Sequence, residues 1–289
     1  MTALALGLVL LAALAHASWN LLAKRARDKL PFFWCATLVS STVYLPVGLW
    51  FALSRPVSAY GWMFVIFSSA LECLYFWSLS QAYRFGDLGL TYPVSRVVGV
   101  LLVPFLGAIL LGERLSELAS VGILLIVAGV ASVHLPAFSL DGIRALASAT
   151  RHQGTRYALL TGLCVAAYST LDKKGVTLVP PLLYGYCLHV GSALGLAALV
   201  LPGRRSGAAG EWKAHRSAIL AVGILTPLAY TLVLVALTFT PVSYVAPARE
   251  VSVVIAALLG VFLLREPYGV QRLFGSALIT TGLFLLVAG

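Results

Sequence analysis

The 289-residue chain is 60% apolar and only 10% charged, with a mean hydropathy of +0.96; a soluble domain, whose surface needs about a quarter of its residues charged, is excluded. The formal charge of +10 does not mark a nucleic-acid binder, because the basic residues stand in short clusters between apolar runs, as in the cytoplasmic loops of an integral membrane protein. Cys35, Cys73, Cys164 and Cys187 lie singly inside apolar runs, so neither a disulfide framework nor a metal site is expected.

In chain order the apolar segments run Thr2 to Ala23, Leu30 to Leu53, Trp62 to Tyr83, Leu90 to Leu111 and Leu118 to Leu135, then Tyr157 to Val176, Leu182 to Leu201, Ala218 to Phe239, Tyr244 to Leu264 and Leu273 to Ala288. Each is near the ~20 residues a helix needs to cross ~30 Å of hydrocarbon. Continuous apolar runs argue against a membrane barrel, whose strands alternate. The first segment contains Ala15-His16-Ala17, a small-x-small pattern, but lacks a basic amino end and has a counterpart at Tyr157 to Val176, so it reads as a helix and not a leader. Connections are short except Pro136 to Thr155 and Pro202 to Ser217, too short for a soluble domain. The expected fold is all-α, ten transmembrane helices as two five-helix repeats: 1–135, a connecting loop 136–156, and 157–289.

The repeat is legible in the residues. A displacement of 154 positions superposes Ala82 on Ala236, Phe85 on Phe239, Pro93 on Pro247, Val97 on Val251 and Val100 on Val254. After a slip to 153, Glu113 falls on Glu266, Gly122 on Gly275, Leu125 on Leu278 and Gly129 on Gly282. A fainter echo at 149 sets Trp19 on Tyr168 and Lys24 on Lys173. Five helices per repeat is an odd number, so the second half must enter from the opposite side. Such inverted repeats are related by a pseudo-twofold in the membrane plane, with substrate bound near midplane between them.

These features together, a Pro early in helix four, Gly112-Glu113 at its end, Gly122 and Gly129 in helix five, and the echo Pro247, Glu266, Gly275 and Gly282, resemble the EamA family of the drug/metabolite transporter superfamily over nearly the whole chain. The pattern departs at Arg265, where the second half has Arg-Glu in place of Gly-Glu. The resemblance implies alternating-access export of a small solute and assigns the last helix of each half to the scaffold or to homodimer contacts. It also implies cytoplasmic termini. The loop charges imply the reverse: fourteen Lys and Arg lie in the odd-numbered loops against four in the even ones, which puts the odd loops in the cytoplasm.

Ionisable groups at membrane depth cost ~2.5 to 3.5 kcal/mol on insertion scales and ordinarily face a cavity or a partner. Glu72, mid-helix, shares a face with Ser68, Tyr75 and Phe76; it reads as a proton-linked carboxylate, a cation ligand, or a packing residue. Arg96 falls on Glu250 under the repeat, and the pair reads as a clasp or as part of the binding site, with Arg249 left for an anionic group. His16, Trp19 and Asn20 form a polar stripe on helix one, answered by Tyr168, Ser169 and Asp172 on helix six. Trp19 and Asn20 are expected in a cavity; Asp172, followed by Lys173 and Lys174, reads as a solvated helix end. Tyr92, Tyr230 and Tyr244 are weaker candidates because tyrosines also populate the interfacial belt. His134 and His189 read as packing or interface residues.

No HExxH, phosphate-cradling GxxxxGK[ST] or nucleophile-base set is present, so neither an enzyme nor an ATP-driven pump is expected, and no cofactor. The expectation is a multi-pass inner-membrane secondary transporter, an exporter of a small polar or amphipathic metabolite, with membrane lipid around it, a coupling proton as a further partner, and no nucleic acid. The alternatives are a lipid-linked substrate flippase and a multidrug exporter.

Overall fold

The computed structural model describes residues 1–23, 26–86, 88–134, 152–203, 205–258 and 269–289, leaving aside the side chains of 88–93, 134 and 269. The first half comprises α1 (Ala3–Ala23), α2 (Lys29–Val43), α3 (Leu45–Ser54), α4 (Ala59–Phe85), α5 (Leu88–Leu111) and α6 (Glu117–His134). The second comprises α7 (Gln153–Gly175), α8 (Pro181–Val200), α9 (Arg205–Phe239), α10 (Val242–Ala248), α11 (Val251–Leu258) and α12 (Gly269–Ala288). Among the described residues α1, α4, α5, α8, α9 and α12 each contain a stretch long and apolar enough to cross a membrane; α2 and α3, bent by 53°, make a further span if taken together.

Expected continuous helices break where prolines dictate. Pro46, in the first turn of α3, has no N–H for the Thr42 carbonyl, and its ring clashes with that turn, so the second apolar segment splits at Tyr44. Pro247 lies inside α10, and beyond Ala248 the chain passes to α11 through tightened i to i−3 bonds, Ser252 N–H to Arg249 O at 3.0 Å and Val253 N–H to Glu250 O at 2.8 Å. Pro227 lies inside α9 and frees the Gly223 carbonyl, which accepts from Ser40 Oγ at 2.7 Å and so ties α9 to α2. Helix α9 also begins earlier than expected: the connection from Arg205 is helical, with a kink at His215, whose φ of −132° and ψ of 25° are not helical.

The packing exchanges the halves. Helix α1 lies on α9, while its counterpart α7 lies on α4, the counterpart of α9. Likewise α2 on α9 is matched by α8 on α4, α5 on α7 by α11 on α1, and α5 on α6 by α11 on α12. The glycines repeat the exchange at atomic scale. A Cβ on Gly122 would stand 2.6 Å from Gly282 O and one on Gly129 2.7 Å from Gly275 O, so α6 and α12 run antiparallel in close contact within one chain. Helix α7 is too polar to pass as a free-standing span. It is held between α4 and α5, and Thr161, Ser169, Thr170 and Asp172 are buried, so protein and not lipid meets its polar groups.

Candidate functional site

Two adjoining cavities open at the centre of the bundle, sharing His16, Tyr75, Arg96, Tyr168 and Arg249. The first is also walled by Trp19, Glu72, Phe76, Thr226 and Tyr230; the second by Ser95, Thr161, Ser169 and Glu250. The walls come from α1, α4 and α5 of one half and from their counterparts α7, α9 and α10–α11 of the other. Each cavity offers about 40 Å³, less than the ~300 Å³ of a drug-sized site, and polar groups from both halves converge on them.

Arg96 Nη1 lies 3.2 Å from Glu250 Oε1, and Arg96 Nη2 contacts His16 Nε2. Glu250 is 4% exposed, a position where an unpaired carboxylate would be prohibitive, so the guanidinium neutralises it. The break between α10 and α11 sets Arg249 and Glu250 side by side at the chain's turn, and the Arg249 guanidinium lies 5.5 Å above the Tyr230 ring, a cation–π distance.

Asp172 is fully buried, contrary to its reading as a solvated helix end. It accepts hydroxyls from three other helices: Ser68 of α4, Tyr184 of α8 at 2.8 Å and Tyr230 of α9. The basic neighbours in sequence misled that reading, since Lys173 is itself engaged, its Nζ donating to Leu237 O at 2.7 Å and Thr240 O at 3.0 Å at the end of α9. Tyr230 thus joins the Asp172 cluster to Arg249 and the cavity.

Glu72 lines the first cavity at 8% exposure. Ser192 Oγ donates to its Oε2 at 2.9 Å, and His189 Nδ1 lies 3.5 Å from its Oε1. His189 and, three positions on, Ser192 stand on the face of α8 turned to Glu72; neither ring nitrogen of His189 has a hydrogen-bond partner among the described residues, as a packing role allows. The i, i+3 spacing of His189 and Ser192 was the signal available in the sequence.

The ends of the bundle are tied by carboxylates. Gly112, at φ +66°, takes the left-handed turn that stops α5. Glu113 then reaches the start of α10, accepting from Val242 N–H at 2.8 Å, Ser243 N–H at 2.9 Å and Ser243 Oγ at 2.5 Å. At the opposite end Glu211 accepts from Arg27 N–H at 3.0 Å and Asp28 N–H at 2.8 Å.

Of the residues singled out from sequence, His16, Trp19, Glu72, Tyr75, Arg96, Tyr168, Tyr230, Arg249 and Glu250 all line these cavities. Asn20 does not: its Nδ2 donates back to His16 O at 2.9 Å along its own helix, the local bonding that Asn prefers when no cavity partner is in reach. The Tyr92 and His134 side chains, Lys24, Arg265 and Glu266 fall outside the described residues. Thr226 and Ser252, not singled out, also line the first cavity; small hydroxyls on apolar helices carry no distinctive spacing.

One solved crystal structure, described only as that of a protein, superposes with a TM-score of 0.79 at 18% identity, over 100% of this chain and 98% of the other; at that identity it establishes a shared fold. No curated protein matches in sequence. The family model described as the EamA-like transporter family matches residues 3–135 and again 153–288, two repeats that together take in nearly the whole chain. The chain is a multi-pass membrane protein of the drug/metabolite transporter type and belongs to the EamA-like transporter family.

Proposed function

We propose that the chain is a secondary transporter of the inner membrane that exports a small polar or amphipathic metabolite by alternating access. Its ten crossings are α1, α2 with α3, α4, α5 and α6, then α7, α8, α9, α10 with α11, and α12, arranged as inverted repeats. The observation that carries the reading is the Arg96–Glu250 pair at 3.2 Å, which bridges the two halves at the wall of the central cavity. When the halves rock, a contact of this kind opens or re-forms, and a site walled by both halves changes the side it faces. Glu72 is the proton-linked group in this reading, placed on the cavity with Ser192 and His189 behind it.

The test is flux in proteoliposomes. The purified protein is expected to move a class of small solute down its gradient without nucleotide, and a proton gradient is expected to drive accumulation in the wild type but not in Glu72→Gln. Absence of flux for every solute class that stabilises the protein would sink the transport reading; an unchanged pH dependence in Glu72→Gln would remove only the proton.

A lipid-linked cargo is the second reading. It is favoured by an apolar groove between α2 and α9, lined by Trp34, Leu38, Val43, Leu220 and Trp212 with Arg205 at its edge.

A further inference from the structure

The charges on the cavity wall do not cancel one by one. Arg96 is matched by Glu250, whereas Arg249 forms no ion pair among the described residues and rests on the Tyr230 ring. Glu72, the other carboxylate on the wall, is turned to Ser192 and His189 of α8. Arg249 borders both cavities, so its forked donors stand where a solute would lie.

Hydrogen-bonding capacity tilts the same way in the first cavity. Trp19 Nε1 is buried without an acceptor in a residue 4% exposed, and an indole nitrogen can only donate. Thr226 Oγ1, on the same wall, also lacks a partner. Leaving a buried donor unmet costs free energy, and a ligand rich in acceptors removes that cost. On the same wall Tyr75, Phe76 and Tyr168 offer ring faces and edges to a flat or apolar body. In the second cavity Ser169 Oγ and Glu250 Oε2 are buried without a partner among the described residues, able to accept from a hydroxyl or N–H carried by such a body.

We infer that the cargo is an organic oxyanion, a carboxylate or phosphate on a compact aromatic or apolar body, with its acid group on the Arg249 guanidinium and in reach of Trp19 Nε1. This assignment rests on the transport reading above and names the charge of what is carried. Bidentate seating on a guanidinium explains why an arginine stands at the break between α10 and α11, where the turn directs it into the cavity.

The test is a matched series of five probes on one ring: 3-phenylpropionate, phenyl phosphate, phenylalanine, 2-phenylethylamine and 3-phenylpropanol. Binding to the detergent-purified protein is read by thermal unfolding and by tryptophan fluorescence. One or both anions are expected to bind, which separates carboxylate from phosphate, with the amine and the alcohol at least about tenfold weaker. Arg249→Gln is expected to weaken the anion by at least about tenfold. Arg249→Lys is expected to keep anion selectivity at reduced affinity, and Trp19→Phe to weaken the anion while leaving selectivity intact. Lys also guards against an Arg249→Gln protein that does not fold. Tighter binding of phenylalanine, the amine or the alcohol than of either anion overturns the assignment, as does equal anion binding by Arg249→Gln, and as does binding by none of the five. Proteoliposome flux separates the two readings: movement of the amine or alcohol but not the anions leaves transport standing and removes the oxyanion. Anions bound through Arg249 but never moved leave the oxyanion site standing and remove transport.

Discussion

Arg96 and Glu250 hold equivalent places in the two repeats, 154 positions apart, and their side chains meet at 3.2 Å. A residue touches its own repeat equivalent only where the relation between the halves maps a place onto itself, so this pair marks the pseudo-twofold. The glycines show the same operation away from the axis: Gly122 faces Gly282, and their equivalents Gly275 and Gly129 face each other in turn.

Removing one member of the clasp leaves the other buried without its partner. Arg96→Ala or Glu250→Ala is expected to cost about 3 to 5 kcal/mol, read as a lowered unfolding midpoint in detergent. The apolar double variant Arg96→Met/Glu250→Leu is expected to be less damaging than either single. A double variant as destabilised as the sum of the singles would show that the two side chains do not act as a pair.

Asp172 accepts three hydroxyls, all of which need an acceptor. Asp172→Asn turns one oxygen into a donor facing donors and is expected to cost about 1 to 3 kcal/mol. Tyr184→Phe, which deletes one donor and leaves the other two, is expected to cost less. Equal losses from the two would contradict a shared acceptor.

The α6–α12 contact leaves no room for a side chain at Gly122, Gly129, Gly275 or Gly282. Gly129→Val is expected to lower the melting temperature by several degrees, in line with the ~1 to 3 kcal/mol of overpacking. Gly7→Val in α1, with nothing within 4 Å of the added Cβ, is expected to have little effect. Similar melts for the two would be incompatible with this packing.

Glu113→Ala strips the start of α10 of its side-chain acceptor, at an expected ~1 to 2 kcal/mol, and frees the short helix that carries Arg249 at its other end. Hydrogen exchange of residues 242–248 is the direct readout. Protection equal to wild type would mean that the cap is dispensable.

Much of the site was legible because charge and aromatic groups are rare on apolar helices, and each must be either met or used. Arg96, Glu250, Arg249, Glu72 and Trp19 announced themselves in this way. Asn20 and Asp172 were misjudged for one reason: a short polar side chain bonds along its own helix or across to another, depending on what stands opposite, and spacing along the chain does not reveal the neighbour.

The sequence by itself determined the membrane class, the duplication and the opposition of Arg96 to Glu250, because hydropathy, repeat displacement and charge are properties of the chain read in one dimension. Tertiary structure alone decided that Asp172 is buried under three hydroxyls, that His189 faces Glu72, and that Arg249, without an ion pair among the described residues, lines the same cavity as Trp19, whose Nε1 has no acceptor among them. These depend on which helix faces are brought together, and that is set by packing between helices, some of them more than a hundred residues apart in the chain.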